Sequence, residues 1–300
     1  NEQARGVFVP ASTIPAANGT TDWTKSRKTT EVGRVLELES AGVLEQMAIV
    51  ADVSYRIGRD GYASASYTLN DARDNSSFNC CVANTSTFRP VVDDPRQLEL
   101  SYSDNHFGNK LVVNAATPTL GGFQLGATFT GTGGERFNFM TGGNRSLNGD
   151  FVLTNDLAFV FDPSAESTPA TIRRDLQALI DNPATTEAVR TYLLGNLGRV
   201  AERNGGINPF YGVLDLRLTK AISLYKAHRL ELSADCFNFL NLIDRTMGVS
   251  NQHARNINLV SIQSFNAQTQ NYNYRVESGA GTLPLGGTPW RIQAGVRYAF

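Results

Sequence analysis

Met47-Ala-Ile-Val-Ala-Asp-Val-Ser-Tyr-Arg-Ile57 alternates along its length. Met47, Ile49, Ala51, Val53, Tyr55 and Ile57 share one side; Asp52, Ser54 and Arg56 occupy the other. Successive side chains of a strand point to opposite faces, so a period of two marks a strand with one apolar face. After Gly58-Arg-Asp-Gly61 the pattern resumes, with Ala63, Ala65, Tyr67 and Leu69 set against Ser64, Ser66 and Thr68. It returns over 98–102, 111–115, 123–130, 214–219, 229–236 and 290–300. The runs take in about 8 to 13 residues, against about 5 or 6 for a typical soluble strand and about 9 to 11 for a membrane-spanning one.

The connectors decide between a soluble sandwich and a membrane barrel, because alternation fits both. Short connectors at 58–61, 118–122 and 223–227 alternate with long ones at 70–96, 133–210 and 241–289. Turns at one end and long loops at the other are the pattern of a bacterial outer-membrane barrel, with turns periplasmic and loops extracellular. The expected fold is therefore an all-β, antiparallel transmembrane β-barrel whose apolar face meets the lipid bilayer. Taking 96–118 as one strand interrupted near 104–108, and a first strand over 32–40, gives about eight strands. The connector at 41–46 is the weak point, since it is external yet short. With the C-terminus in the periplasm, the loops are extracellular.

Composition agrees. Of 300 residues, 41% are hydrophobic and 18% charged, too apolar for a disordered chain. No apolar run approaches the roughly 18 residues of a spanning helix, which excludes helical membrane proteins and leaves barrels open. With 27 basic against 28 acidic residues the net charge is −1, so no nucleic-acid partner is expected. Asn1-Glu-Gln-Ala-Arg has neither an initiator Met nor a signal peptide, and reads as a processed or truncated start. Residues 1–31 read as an external loop or the end of a preceding strand.

Residues 165–202 break the pattern. Ile172, Leu176 and Leu179 or Ile180 recur at helical spacing over 170–180, with Thr168 as N-cap candidate and Pro183 beyond the end. Val189, Leu193, Leu194 and Leu197 do so over 185–200. Two short helices inside the longest external loop are expected.

No reaction centre is expected. His106, His228 and His253 lie on three separate elements with no nucleophile at a suggestive spacing, so no catalytic residue is assigned and the chain is not read as an enzyme. Gly131-Thr-Gly-Gly134 lacks the Lys-Ser/Thr of a phosphate loop and reads as a flexible loop. The Asp/Asn-rich 144–162 lacks an EF-type pattern, and neither it nor the cysteines suggest a metal; no cofactor is expected. Asp52, Arg56, Asp215, Arg217, Arg229, Glu231, Asp235 and Arg297 fall on the polar face, where cross-strand ion pairs are the ordinary use. Cys80 and Cys81 sit in an external loop, and Cys236 falls on the lipid face as a small apolar residue.

Several segments also resemble one family. Ala65-Ser-Tyr-Thr-Leu69 with Asp74-Asn75, Asp104-Asn-His106 before Leu111-Val-Val, and Gly131-Thr-Gly-Gly-Glu-Arg-Phe137 come first. Asn148-Gly-Asp150 with Asn155-Asp156, Arg203-Asn204 with Asn208-Pro-Phe and Leu214-Asp-Leu-Arg-Leu-Thr-Lys220, and Phe237-Asn-Phe-Leu-Asn241 follow in order. Across 39–300 they are similar to the C-terminal barrel portion of TonB-dependent outer-membrane receptors of the Oar-like type, which carry an N-terminal carboxypeptidase-regulatory-like domain. Such receptors close a barrel of about 22 strands around a plug. The resemblance thus makes 32–300 the C-terminal part of a larger barrel. It implies energised uptake of a nutrient across the outer membrane, coupled to a TonB-type protein through a plug region absent from this chain. No substrate-binding residue follows from it. The alternative is a barrel scaffold whose loops bind a surface protein partner.

The chain end adds a second likeness. Gly295-Val-Arg-Tyr-Ala-Phe300 resembles the terminal strand of outer-membrane proteins, which implies that Gly295, Val296, Tyr298 and Phe300 form a signal for the barrel-assembly machinery.

Overall fold

The computed structural model describes residues 5–33, 35–77, 83–283 and 287–300. In chain order the strands are β1 Leu44–Ile57, β2 Gly61–Asp74, β3 Ser101–Tyr102, β4 Asn109–Ala116, β5 Phe123–Gly133, β6 Arg136–Gly142 and β7 Phe159–Val160. Then come β8 Arg199–Val200, β9 Gly206–Ile207, β10 Tyr211–Ser223, β11 Arg229–Phe237, β12 Asn256–Asn266, β13 Asn271–Val276 and β14 Arg291–Ala299. The helices are α1 Ala170–Asp181, α2 Glu187–Leu194 and α3 Phe239–Ile243. No described helix is long and apolar enough to cross a membrane.

One large antiparallel sheet runs β1-β2-β4-β5-β10-β11-β14, with β3 beside β2. Its register carries the alternation from strand to strand. Val53 opposes Ala65, Ala65 opposes Val113, Val113 opposes Phe129, and Phe129 opposes Leu214. Further along, Ala127, Leu216, Cys236 and Ile292 line up, as do Leu125, Leu218, Ala234 and Ala294. Directly opposed residues share a face, so these rows make one continuous apolar surface. Among the described residues nothing covers it: Met47, Ile49, Val53, Ile292 and Val296 are all more than 60% exposed. Cys236 is a free thiol within this surface. The opposite face is polar, with Thr128 donating to Asn114 (3.2 Å) and Arg217 facing Asp235 (3.6 Å) across strands.

Short connections gather at one end of the sheet (58–60, 117–122, 224–228) and long ones at the other (75–100, 134–210, 238–290). The short ends need glycine. Gly122 has φ +82°, and a Cβ there would lie 2.5 Å from the Ala221 carbonyl oxygen.

Two sequence expectations change here. The first strand over 32–40 does not form, and its described residues have no sheet partner. The reason lies in Asn75, whose side chain accepts from Val43 N–H (2.8 Å) and donates to the Ala41 carbonyl (2.8 Å). The chain is thereby fastened to the end of β2, and Leu44–Gln46 go into β1, so the short external connector at 41–46 disappears. β3 and β4 together form the interrupted strand expected over 96–118, so the sheet has seven lanes, or eight strands when β3 is counted apart. Second, Gly131–Gly133 is not a loop but the end of β5. Its glycines let the Phe210 ring lie on the strand, where a Cβ at Gly131 would meet that ring at 2.2 Å.

The six pairings along the sheet are all antiparallel, so β1 and β14 run the same way. Each has one described neighbour and a free outer edge. Pairing these two edges directly would make a parallel seam.

The long loops fold together into a cap. β13, β12, β6 and β9 form a second sheet, in which β12 lies parallel to β6, and β7 pairs β8. Helices α1 and α2 sit within 165–202 as the periodicity predicts, burying Ile172, Leu176 and Leu179, and Val189, Tyr192 and Leu193. They pack with Phe137, Phe139, Leu259 and Val260, and the Phe139 and Tyr192 rings stack at 4.4 Å. Full burial of such side chains contributes about 1.5–3 kcal/mol each, which holds the loops as one folded body. Thr168 is not the N-cap of α1; Pro169 holds that position, and Thr168 Oγ1 donates to the Asp162 carbonyl (2.6 Å). A smaller core joins the N-terminal segment to the cap, with Val9 and Ile14 against Leu147, Ile262, Phe265 and Tyr272.

Candidate functional site

The motif residues that are scattered in sequence meet where the cap joins the sheet. Asp74, at the end of β2, pairs with Arg203 at 2.7 Å, and both side chains are over 90% buried. Arg203 also donates to the Asp74 backbone carbonyl, and Ser77 Oγ donates to both carboxylate oxygens (2.8 and 2.9 Å). Next along the chain, Asn204 Nδ2 donates to the Tyr102 carbonyl (2.7 Å) and to Asp104 Oδ1 (2.9 Å). Asn138 of β6 donates to Asn204 Oδ1 (2.8 Å) and to Asn256 Oδ1 (3.0 Å), closing a buried amide network. On the far side, Asn238 takes φ +54° at the end of β11. Its N–H donates to Asp215 Oδ1 (2.8 Å), and its side chain donates to the Gly248 and Thr288 carbonyls. Most buried polar atoms of the network find partners, as the cost of desolvation demands, while Arg203 Nη1 and Asn238 Oδ1 do not.

Beside this seam lies an open cleft of about 490 Å³. Its lining includes Asp104, His106, Glu135, Arg136, His253 and Arg255. His106 is buried; its Nδ1 accepts from the Ala72 N–H (3.2 Å) and lies 3.7 Å from Asp71 Oδ1, and its Nε2 is 3.3 Å from Arg136 Nη2. Arg136 stacks on the Tyr102 ring, its guanidinium carbon 3.5 Å from the centroid. Burial, then the Arg136 charge, hold His106 below the ordinary histidine range, so it is neutral near pH 7. His253 is lowered by burial alone. Its ring bonds Thr186 Oγ1 (2.6 Å) at the N-cap of α2, and its backbone N–H and carbonyl both bond the Asn208 amide. Arg255 and Asp104 pair across the rim at 3.1 Å.

Sequence spacing kept the three histidines apart, yet His106 and His253 line one cleft. His228 stays separate at the turn end, stacked on Tyr298 and bonded to its hydroxyl (2.6 Å). Of the polar-face charges, Arg217 and Asp235 pair, while Glu231 and Arg297 stand opposite each other in the register. In the 144–162 segment, Asp150 and Asn148 accept from nearby backbone N–H groups, the geometry of Asx turns. Asp156 accepts from the Leu147 N–H (2.7 Å), and burial pushes its carboxyl up to about 7. Among the described residues no group of three or more His, Cys, Asp or Glu could hold a metal ion. Cys80 and Cys81 lie outside the described residues. Val296, Tyr298 and Phe300 stand in a row on the apolar face, with Phe300 90% exposed. Gly295 faces the other way, opposite Ser233.

Comparison with known proteins fits this architecture. The model of a family described as an outer membrane beta barrel domain matches residues 8–244, from the N-terminal segment through β11 and α3. A search of curated proteins found no match, and neither did a search of solved structures. The family match covers most of the chain, and a lipid-ready apolar face with segregated turns and loops is what such a domain requires. The chain is an outer-membrane protein and belongs to the family of outer membrane beta barrel domains.

Proposed function

We propose that this chain is the C-terminal part of the barrel of a TonB-dependent transporter, which imports a nutrient across the outer membrane. The observation that carries the reading is the open sheet. Its two edges run the same way, so antiparallel closure takes an odd number of additional strands between β14 and β1. A barrel of about 22 strands meets that condition; a seven-lane barrel does not, nor does a ring of copies, whose seams would all be parallel. The plug and the segment that engages a TonB-type coupling protein would lie outside these 300 residues. The C-terminus would face the periplasm and the cap the exterior. No residue is proposed as catalytic. A barrel scaffold whose cap binds a surface partner is the second reading, favoured by the cap having a hydrophobic core of its own.

The test compares strains lacking the full-length gene with strains lacking the coupling protein, across a panel of sole nutrient sources. A growth defect shared by both on the same source supports transport. Normal growth of the gene deletion on every source, with the wild-type protein abundant at the surface, favours the scaffold.

We also assign the assembly signal to the chain end. Deleting Phe300 is expected to reduce outer-membrane levels at least several-fold and to leave degraded or periplasmic material, while the molecules that assemble unfold normally. Phe300 supplies an aromatic at the membrane interface on the strand that must pair during insertion. Quantitative immunoblotting of membrane fractions reads the effect, and wild-type levels would remove the role from Phe300.

A further inference from the structure

The cleft between cap and sheet brings two hydrogen-bond donors to within 3.3 Å of each other. His106 Nδ1 accepts from the Ala72 N–H at 3.2 Å, so the hydrogen-bond pattern assigns the single proton of the neutral ring to Nε2. That Nε2 faces Arg136 Nη2 at 3.3 Å, and a guanidinium has no acceptor to offer. The Nε of Arg136 is also buried without a partner. His106 has only 4% of its side chain exposed, and Tyr102 holds the Arg136 plane from behind. Two fixed donors converging on the wall of a 490 Å³ cleft form a seat for an oxygen acceptor.

The geometry points to a binding site for a small solute bearing a carboxylate, whose oxygens accept from His106 Nε2–H and the Arg136 guanidinium. The rim selects the class. Asp104 and Glu135 line the same cleft, and only Asp104 is paired, with Arg255. A singly charged carboxylate meets less repulsion from Glu135 than a phosphate dianion does. The site stands whether or not the barrel imports its cargo.

The test uses the full-length protein in detergent micelles, with acetate as probe, saturation-transfer NMR as readout, and chloride holding ionic strength constant. Saturable acetate binding is expected, with Arg136→Gln weakening it at least tenfold. Glu135→Gln, an exposed change that leaves the fold intact, should tighten it about two- to threefold by removing a like charge. In the wild type at pH 8, 15N-labelled His106 should be in the Nε2–H form, and its Nε2 signal should move on adding acetate. No saturable binding, undiminished binding in Arg136→Gln, or weaker binding in Glu135→Gln would overturn the site. Tighter binding of phosphate than of acetate would overturn the carboxylate assignment.

Discussion

Asp74→Ala is expected to destabilise the protein by about 3–5 kcal/mol, the usual cost of leaving one member of a buried ion pair alone. Arg203 would remain with 8% of its side chain exposed, its partner gone and its Nη1 already unpaired. Ser77 would lose its acceptor as well. Because the pair joins the end of β2 to the segment that enters β9, the damage should fall on the junction of cap and sheet. The double variant Asp74→Leu with Arg203→Met should recover most of the loss, since a matched apolar pair strands no charge. Urea unfolding of the full-length barrel in lipid vesicles measures both. A single-variant cost below about 1 kcal/mol, the range of exposed pairs, would mean that the ion pair is solvated.

Leu216→Arg should cost about 2–4 kcal/mol, as a charge on the lipid face does near the bilayer midplane. Leu216 lies mid-way along β10, between Ala127 of β5 and Cys236 of β11, within the continuous apolar surface. Its neighbour Arg217 points the other way, towards Asp235, with 58% of its side chain exposed. Arg217→Gln should therefore lose no more than the small value of an exposed pair. The contrast between adjacent positions is what the experiment reads in the same vesicle assay. Equal costs, or the reverse order, would require the faces to be exchanged, because a one-residue slip moves every side chain to the other side.

The barrel wall was legible in the sequence because it is a local code. Period-two alternation states which residues share a face, and the three tight hairpins at 58–60, 117–122 and 224–228 set the register between neighbouring strands. Within the hairpins, Val53 opposite Ala65, Val113 opposite Phe129 and Leu216 opposite Cys236 follow from those two facts. The steps from β2 to β4, β5 to β10 and β11 to β14 cross long loops and are set by the tertiary structure. The helices at 165–202 were legible for the same reason, their apolar residues recurring within a few positions. The strand counted over 32–40 does not form, because no described strand lies alongside to pair with it. A strand is a property of two segments, and Asn75 directs the chain into β1 instead.

The amino-acid sequence by itself thus determined the strands of the large sheet, their lipid and polar faces, the end that carries turns and the end that carries loops. Only the tertiary structure decided what the loops do. The parallel pairing of β6 with β12 joins Asn138 to Asn256, 118 residues apart, and the Asp74–Arg203 pair spans 129. His106 and His253, on separate loops, come to one cleft only through these contacts. Contacts of that kind have no period to read. They are chosen when long loops, whose closure entropy grows only slowly with length, find a shared core to bury and polar groups that must not be left unpaired.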